Sequence, residues 1–531
     1  MSLTVRWLSV SPEIDREHLD RMASQCGLEV EDKTATDLSV AVTWSSGPEL
    51  SYDPDHRRIT DEAYILRLGE QGDAGVEVTG PRSLRWALVD LAGRARSGNW
   101  LIGEHRHGAA FGVRGIIEGF YGPPWENQAR LDMIDFAARH RFNTFFYSPK
   151  DDPYLRRHWR TPFEGKSLRR LEEVIAHCRD REVDAMIGVS PGLSMRYSDS
   201  KDTDLLVEKF VSIIDLGATS IALLFDDIPN RLQHEPDISQ FSDLATAHAQ
   251  TANRVFDEMS VPFVVCPTIY WGAGDEEYIS RLGDQLDPRI DLFWTGRAVC
   301  SPAITDAEAA HFARVNRRPP LYWDNYPVND ASMSNEMHIG PYQNRDRSLD
   351  RFCRGVMANA MEYPEASKIG LATVADYLWD PNGYDSDVSW QRAIVEVAGE
   401  VDAPALALFA DTVRASCLSD PDPVGLTQAL QVYAFQVESG HATAAAHGLA
   451  TQARELTAAA EHLLGRGMEN RVLQAELSPW LAKFRAGSDA VAAIADGRDQ
   501  AELTSALKQL REDPRRVFGD VLEMTLADLL K

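Results

Sequence analysis

The 531 residues suffice for about three domains with a sizeable core, at 44% hydrophobic and 25% charged residues. A formal net charge of −27 argues against nucleic acid or an anionic membrane surface as a partner, since both require a basic footprint. The six cysteines, Cys26, Cys178, Cys266, Cys300, Cys353 and Cys417, lie far apart with no CxxC spacing, so isolated core thiols are expected and no metal site.

The opening MSLTVRWLSVSPEIDREHLD has no basic region followed by an apolar stretch of leader length. No run of about 18 apolar residues follows anywhere. A cytoplasmic protein is expected. Residues 1–110 read as a small α/β domain: β-like runs LTVRWLS, AYILRL and GVEVTG precede SLRWALVDLAGRAR, which places Leu84, Ala87, Leu88 and Leu91 on one helical stripe. Gly98 and the polar GEHRHG mark its expected boundary.

Residues 111–395 change pattern. Strand-like runs VRGIIEGFYG, FNTFFYSPK, VDAMIGVSPG, TSIALLFDDI, PFVVCPTIYW, IDLFWTG, PLYWDNYP and KIGLATVADYLW alternate with helical stretches such as LRRLEEVIAHCRDRE and FSDLATAHAQTANRVFDEM. Eight such units in about 270 residues predict a (β/α)8 TIM barrel. A doubly wound sheet is the competing layout, but it normally carries a glycine-rich phosphate loop after its first strand, and EGFYGPPW is not GxGxxG. Each run ends in polar or aromatic residues, as at Glu118–Tyr121, Asp226-Asp227, Asp324-Asn325 and Asp376-Tyr377, and strand C-termini build the active site in this fold. Residues 396–531 lose the strand-like runs, and consecutive amphipathic stretches predict a C-terminal helical domain.

The strongest local signal is LLFDDIPN. An apolar strand runs into Asp226 and Asp227, and Pro229 helps end pairing. On a continuing strand the two side chains would face opposite sides, so ending it here lets both carboxylates turn to one pocket. Two neighbouring carboxylates do not both ionise cheaply, which supplies one acid and one base or charge stabiliser, as glycosidic cleavage requires. Metal binding or helix capping is the competing reading of the same pair. Lys150-Asp151-Asp152, taken alone, reads as a turn with a surface ion pair. Trp323, Tyr270 and Trp271 read either as packing or as the flat apolar faces that a sugar ring needs beside polar partners. His105, His107 and His338 lack metal-ligand companions and read as structural or exposed. No GxSxG, HExxH or P-loop pattern is present.

Taken in order, GVRGIIEGFYGPPW, FFYSPKDDPY, SPGL, ALLFDDI, CPTIYWG, WTG, YWDNYPVND and GPY resemble the catalytic domain of glycoside hydrolase family 84, the O-GlcNAcases and bacterial β-N-acetylglucosaminidases, from about residue 112 to 379. The resemblance implies a retaining, exo-acting enzyme without cofactor. In it the sugar's own 2-acetamido oxygen attacks the anomeric carbon to give an oxazoline. Asp226 then matches the residue orienting the acetamido N–H, and Asp227 the general acid and base. Tyr270 and Asn325 match groups that hold the acetamido and the forming oxazoline, with Trp323 as a wall. Gly119 (through its carbonyl), Lys150, Asp330 and Asn359 match contacts to sugar hydroxyls, while Cys266 and Thr295 match pocket-lining positions. The family often shows Asn-Pro where this chain has Asn359-Ala360. The implied partner is an N-acetylglucosamine-bearing glycoprotein, peptide or oligosaccharide. The rivals are a family 20-like hexosaminidase, which carries Asp-Glu rather than Asp-Asp, and a barrel that binds N-acetylated glycans without turnover.

Overall fold

The computed structural model describes residues 3–31, 36–45 and 62–531. The first apolar runs form one six-stranded sheet from β1 (Leu3–Val10), β2 (Leu28–Val30), β3 (Leu38–Trp44), β4 (Tyr64–Leu68), β5 (Asp73–Val78) and β6 (Gly103–His107), in the order β2-β1-β3-β5-β4-β6. Helices α1 (Arg16–Gln25) and α2 (Pro81–Ser97) pack on it. Pro81 presets the first turn of α2, and Gly98, at φ 68°, closes it in the left-handed conformation that glycine tolerates. Leu84, Ala87, Leu88 and Leu91 are all buried. The polar run that marks the expected boundary forms the last strand of this sheet, the edge strand β6. Its charged residues suit an exposed edge, and they leave no apolar alternation to detect.

Eight parallel strands then close into a barrel: β7 (Val113–Glu118), β8 (Thr144–Tyr147), β9 (Asp184–Val189), β10 (Ser220–Leu224), β11 (Phe263–Cys266), β12 (Asp291–Trp294), β13 (Leu321–Asp324) and β14 (Gly355–Asn359). This is the (β/α)8 fold. Between them run α3 (Asn127–Arg139), α4 (Gly165–Asp180), α5 (Ser200–Asp215), α6 (Glu235–Gln240), α7 (Leu244–Phe256), α8 (Glu277–Gln285) and α9 (Asp306–Asn316). Only two single 3-10 turns, Ala331–Met333 and Leu349–Arg351, stand between β13 and β14.

The eighth strand is therefore not KIGLATVADYLW. That run lies in α10 (Pro364–Trp379), so Asp376 and Tyr377 do not sit at a strand end. The helix is buried nearly all round, and a helix without a polar face has no 3.6-residue signature to separate it from a buried strand. The true strand, Gly355-Val356-Met357-Ala358-Asn359, pairs with β13 and β7.

Period-2 alternation along the strands fills the barrel axis with Ile117, Phe146, Ala222, Leu224, Val264, Phe293, Leu321 and Met357. The outer faces form a second core with the surrounding helices. The helices α11 (Ser386–Ala398), α12 (Ala403–Thr412), α13 (Val424–Glu438), α14 (Ala442–Glu461), α15 (Arg471–Ala495), α16 (Gln500–Glu512) and α17 (Val521–Leu529) join that core through residues such as Phe409, Leu477 and Phe484. Glu476 of α15 accepts the backbone N–H groups of Glu365 (3.2 Å) and Ala366 (2.8 Å), satisfying the open end of α10. Among the described residues no helix is long and apolar enough to cross a membrane.

Candidate active site

The inward register of the strands, carried one step past their ends, builds the site. Leu224 faces the axis, so Asp226 does too. Cys266 follows Val264, Thr295 follows Phe293, Trp323 and Asn325 follow Leu321, Asn359 follows Met357, and Gly119 follows Ile117. These residues border one cavity of about 580 Å3 at the C-terminal mouth of the barrel, together with Lys150, Asp227, Tyr270 and Asp330. All eleven positions to which the resemblance gives a role thus border one cavity, whereas Trp271, the third candidate aromatic face, is exposed and does not line it. Tyr121, named only as part of a strand end, completes the lining with Phe293, Ala298, Val299, Cys300, Val328 and the turn Ala331–Met333, to which the sequence assigns no role.

Asp227 breaks the alternation. It adopts φ 56°, a left-handed conformation unusual for a residue with a side chain. That turn swings its carboxylate back to the cavity instead of outward. The preceding residue is clamped: Phe225 N–H donates to Cys266 C=O (2.8 Å), and Thr268 Oγ1 donates to Phe225 C=O (2.8 Å). The Phe225 ring stacks on His248 at 3.9 Å between centroids. His248 is bonded on one side to Tyr278 (2.8 Å) and on the other to Tyr197 (2.9 Å), and burial pulls its imidazole down to about 3, so it stays neutral.

The two carboxylates have different surroundings. Asp226 is buried and paired with Lys150, yet its Oδ1 has no hydrogen-bond partner among the described residues. Asp227 is 30% exposed; Tyr270 donates to its Oδ1 at 3.0 Å and Tyr121 to its Oδ2 at 2.7 Å. Lys150 Nζ lies 3.9 Å from Asp227 Oδ2, so one ammonium faces both carboxyl groups. Burial pulls that ammonium down, but Asp226 and Asp227 more than reverse this and hold it above its usual range. Lys150 does sit in a turn, closed by Asp152 N–H to Pro149 C=O (3.1 Å), but its side chain is a buried partner of the acid pair rather than of a surface ion pair.

On the opposite wall, Asn325 Oδ1 accepts from Trp323 Nε1 (2.9 Å) and Asn359 Nδ2 (3.0 Å), and Asn325 Nδ2 donates to Val299 C=O (2.7 Å). Asn359 Oδ1 is buried with no hydrogen-bond partner among the described residues. Ala360 keeps an N–H that donates to Ile117 C=O (3.1 Å), a bond proline could not make, so this strand end is held without one. Between Trp323 and Asn325, Asp324 points away from the cavity into a two-bond pair with Arg345 (2.7 and 2.9 Å) and accepts from Tyr342 (2.6 Å), which locks the inward pose of its neighbours. Glu118 is likewise committed outward, to Arg130. A Cβ at Gly119 would come within 2.7 Å of Trp323 and 3.1 Å of Asn359 Oδ1, so only glycine fits there. Burial raises the Asp330 carboxyl above its usual range, and the Tyr121 N–H bound to its Oδ2 at 2.7 Å opposes that rise.

His338 is buried between Val328 C=O and Glu336, and His105 and His107 lie on the edge strand, none of them at the cavity. All six cysteines are free thiols; Cys266 and Cys300 line the cavity, and Cys417 reaches Asn325 C=O at 3.4 Å. Among the described residues no group of three or more His, Cys, Asp or Glu is placed to hold a metal.

A parallel barrel whose mouth joins two adjacent carboxylates to aromatic walls has the build of a sugar-cleaving enzyme. A family model described as beta-N-acetylglucosaminidase matches residues 114–411. The protein O-GlcNAcase of Rattus norvegicus is 32% identical over 294 residues, which is 53% of this chain and 32% of that protein. The chain thus matches about a third of the length of that relative. A mutant of Thermobaculum terrenum O-GlcNAc hydrolase superposes with a TM-score of 0.75 at 33% identity, covering 79% of this chain and 95% of that one. CpGH84B shares the fold at a TM-score of 0.82 and 24% identity, covering 98% and 96% of the two chains. The chain belongs to the beta-N-acetylglucosaminidase family, glycoside hydrolase family 84.

Proposed function

We propose that the protein is a retaining exo-β-N-acetylglucosaminidase that removes terminal β-linked N-acetylglucosamine by substrate-assisted catalysis. The observation that carries this reading is the unpartnered Oδ1 of buried Asp226. A buried carboxylate oxygen demands a donor, and a substrate N–H at that depth supplies one. Asp226 would orient the acetamido N–H and support the positive charge that develops as the acetamido oxygen attacks the anomeric carbon. As the bond to the aglycone breaks, Asp227 passes its proton to the departing oxygen. In the second step Asp227 takes a proton from water, which attacks the same carbon and reopens the oxazoline. Two displacements on opposite faces give net retention. Tethering the nucleophile to the substrate is worth an effective molarity of about 10⁵–10⁸ M when well oriented.

The same reading assigns the other roles: Tyr270 and Asn325 hold the acetamido group and the forming oxazoline, with Trp323 as a wall and Cys266 and Thr295 lining the pocket, and all five border the cavity. The Gly119 carbonyl, Lys150, Asp330 and the free Asn359 Oδ1 take the ring hydroxyls. The substrate is an N-acetylglucosamine-bearing glycoprotein, peptide or oligosaccharide. The test is an aryl β-N-acetylglucosaminide followed by proton NMR. The β-anomer of free sugar appears first if the reading holds, and the N-trifluoroacetyl analogue reacts far more slowly because its acyl oxygen is a weaker nucleophile. Initial α-anomer, or equal rates for both substrates, would exclude the mechanism.

A further inference from the structure

Resting on that reading, we infer that Arg156 and Tyr121 form a positioning pair that sets when Asp227 holds its proton. Arg156 lies outside the cavity lining, on the segment between β8 and α4, where buried Leu155 and Trp159 on either side fix its backbone. Its Nη1 donates to the Tyr121 hydroxyl at 3.0 Å, and its guanidinium carbon sits 5.4 Å from the Tyr121 ring centre. A guanidinium has no acceptor, so Tyr121 must accept from it, and its one hydroxyl hydrogen is left for Asp227 Oδ2 at 2.7 Å. The direction of the chain Arg156 to Tyr121 to Asp227 is therefore fixed. The loop is tied down as well, because Tyr121 N–H donates to Asp330 Oδ2 across the mouth.

A hydrogen bond to a carboxylate favours its charged form, and a cation behind the donor strengthens that bond. The pair thus biases Asp227 toward the ionised state that the second, water-activating step requires. The other groups facing Asp227 are Asp226, Lys150, Tyr270, Cys266 and Asp330, and none of them bonds to Arg156. The balance between the acid and base roles of Asp227 is set partly from outside the cavity. Arg156 lies outside the cavity lining and Tyr121 bonds to the Asp227 Oδ2 that Tyr270 does not use, so the pair tunes proton transfer without selecting the N-acyl group.

The experiment is the pH profile of kcat/KM on an aryl N-acetylglucosaminide for wild type, Tyr121→Phe, Arg156→Gln and Arg156→Lys, with melting curves for each. Loss of the donor leaves Asp227 protonated to higher pH, so the alkaline limb of Tyr121→Phe moves up by roughly 0.5–1 pH unit. Arg156→Gln shifts it the same way by less, and Arg156→Lys restores part of the shift because it keeps a charged donor. A structural role alone lowers kcat at every pH and leaves the limb in place; that result, in folded variants, overturns the inference. If Tyr121→Phe fails to fold, the Arg156 variants decide. An inactive wild type counts against the glycosidase reading itself and is separable from either outcome.

Discussion

Asp226 and Asp227 are adjacent in the chain yet face the same cavity, because Asp227 leaves the strand register at φ 56°. Strain of this kind persists where surrounding structure over-determines it, and here the clamps on Phe225 do so. Glycine adopts that conformation freely, while alanine carries the Cβ penalty. Asp227→Gly is therefore expected to be more stable than Asp227→Ala by about 1 kcal/mol in urea unfolding, although both lack the carboxylate. Equal stabilities would mean that the turn is not strained.

Lys150 and Asp226 form a buried ion pair. Removing one partner of such a pair costs about 3–5 kcal/mol, because it strands the other charge. Lys150→Met should lose stability on that scale by urea unfolding, and adding Asp226→Asn should recover much of it. A loss below about 1 kcal/mol, or no recovery in the double variant, would show that the pair is not isolated from water.

Much of this site is legible through the family resemblance, and the alternation of the barrel strands gives the physical reason those positions meet. Leu224 to Asp226, Val264 to Cys266, Leu321 to Trp323 to Asn325 and Ile117 to Gly119 all carry an inward register into the cavity. Tyr121 is named only as part of a strand end, and Arg156 not at all, because each stands on a loop where the sequence alone does not show that the two side chains meet at Asp227. Lys150 read alone as a surface turn because its partner Asp226 lies 76 residues away. The eighth strand was misplaced for a different reason. Gly355–Asn359 begins at a glycine pressed against Val113, whereas α10, buried nearly all round, mimics a buried strand.

Cys266 is 3% exposed and shares the cavity with Tyr270. Enlarging it to Phe should crowd the acetamido pocket from below. Overpacking of this kind costs about 1–3 kcal/mol, so an N-butanoyl substrate should lose roughly tenfold more kcat/KM than the N-acetyl one. Equal losses for both would place Cys266 away from the acyl group.

Burial pushes Glu476 up to about 7, while the N–H groups of Ala366 and Glu365 oppose the shift. A carboxyl raised in the folded state stabilises fully below its unfolded value near 4.5, and that contribution is lost as the pH rises through about 7. Glu476→Gln keeps an acceptor oxygen for one of these two N–H groups, turns its amide nitrogen to the other, and carries no titration, so only the pH dependence of the difference is diagnostic. Its urea midpoint relative to wild type should rise between about pH 5 and about pH 8. A difference that stays constant across that interval would contradict the raised carboxyl.

The division of labour between the two aspartates is tested most directly by leaving-group dependence. Acid catalysis matters most when the departing oxygen is a poor leaving group, since the proton then offsets developing alkoxide charge. Asp227→Ala should lose far more kcat/KM on an O-N-acetylglucosaminyl serine peptide than on a nitrophenyl glycoside. Asp226→Ala should lose heavily on both, because the acetamido nucleophile is misplaced and its charge unsupported whatever departs. The assignment is contradicted if Asp226→Ala shows the leaving-group dependence and Asp227→Ala does not.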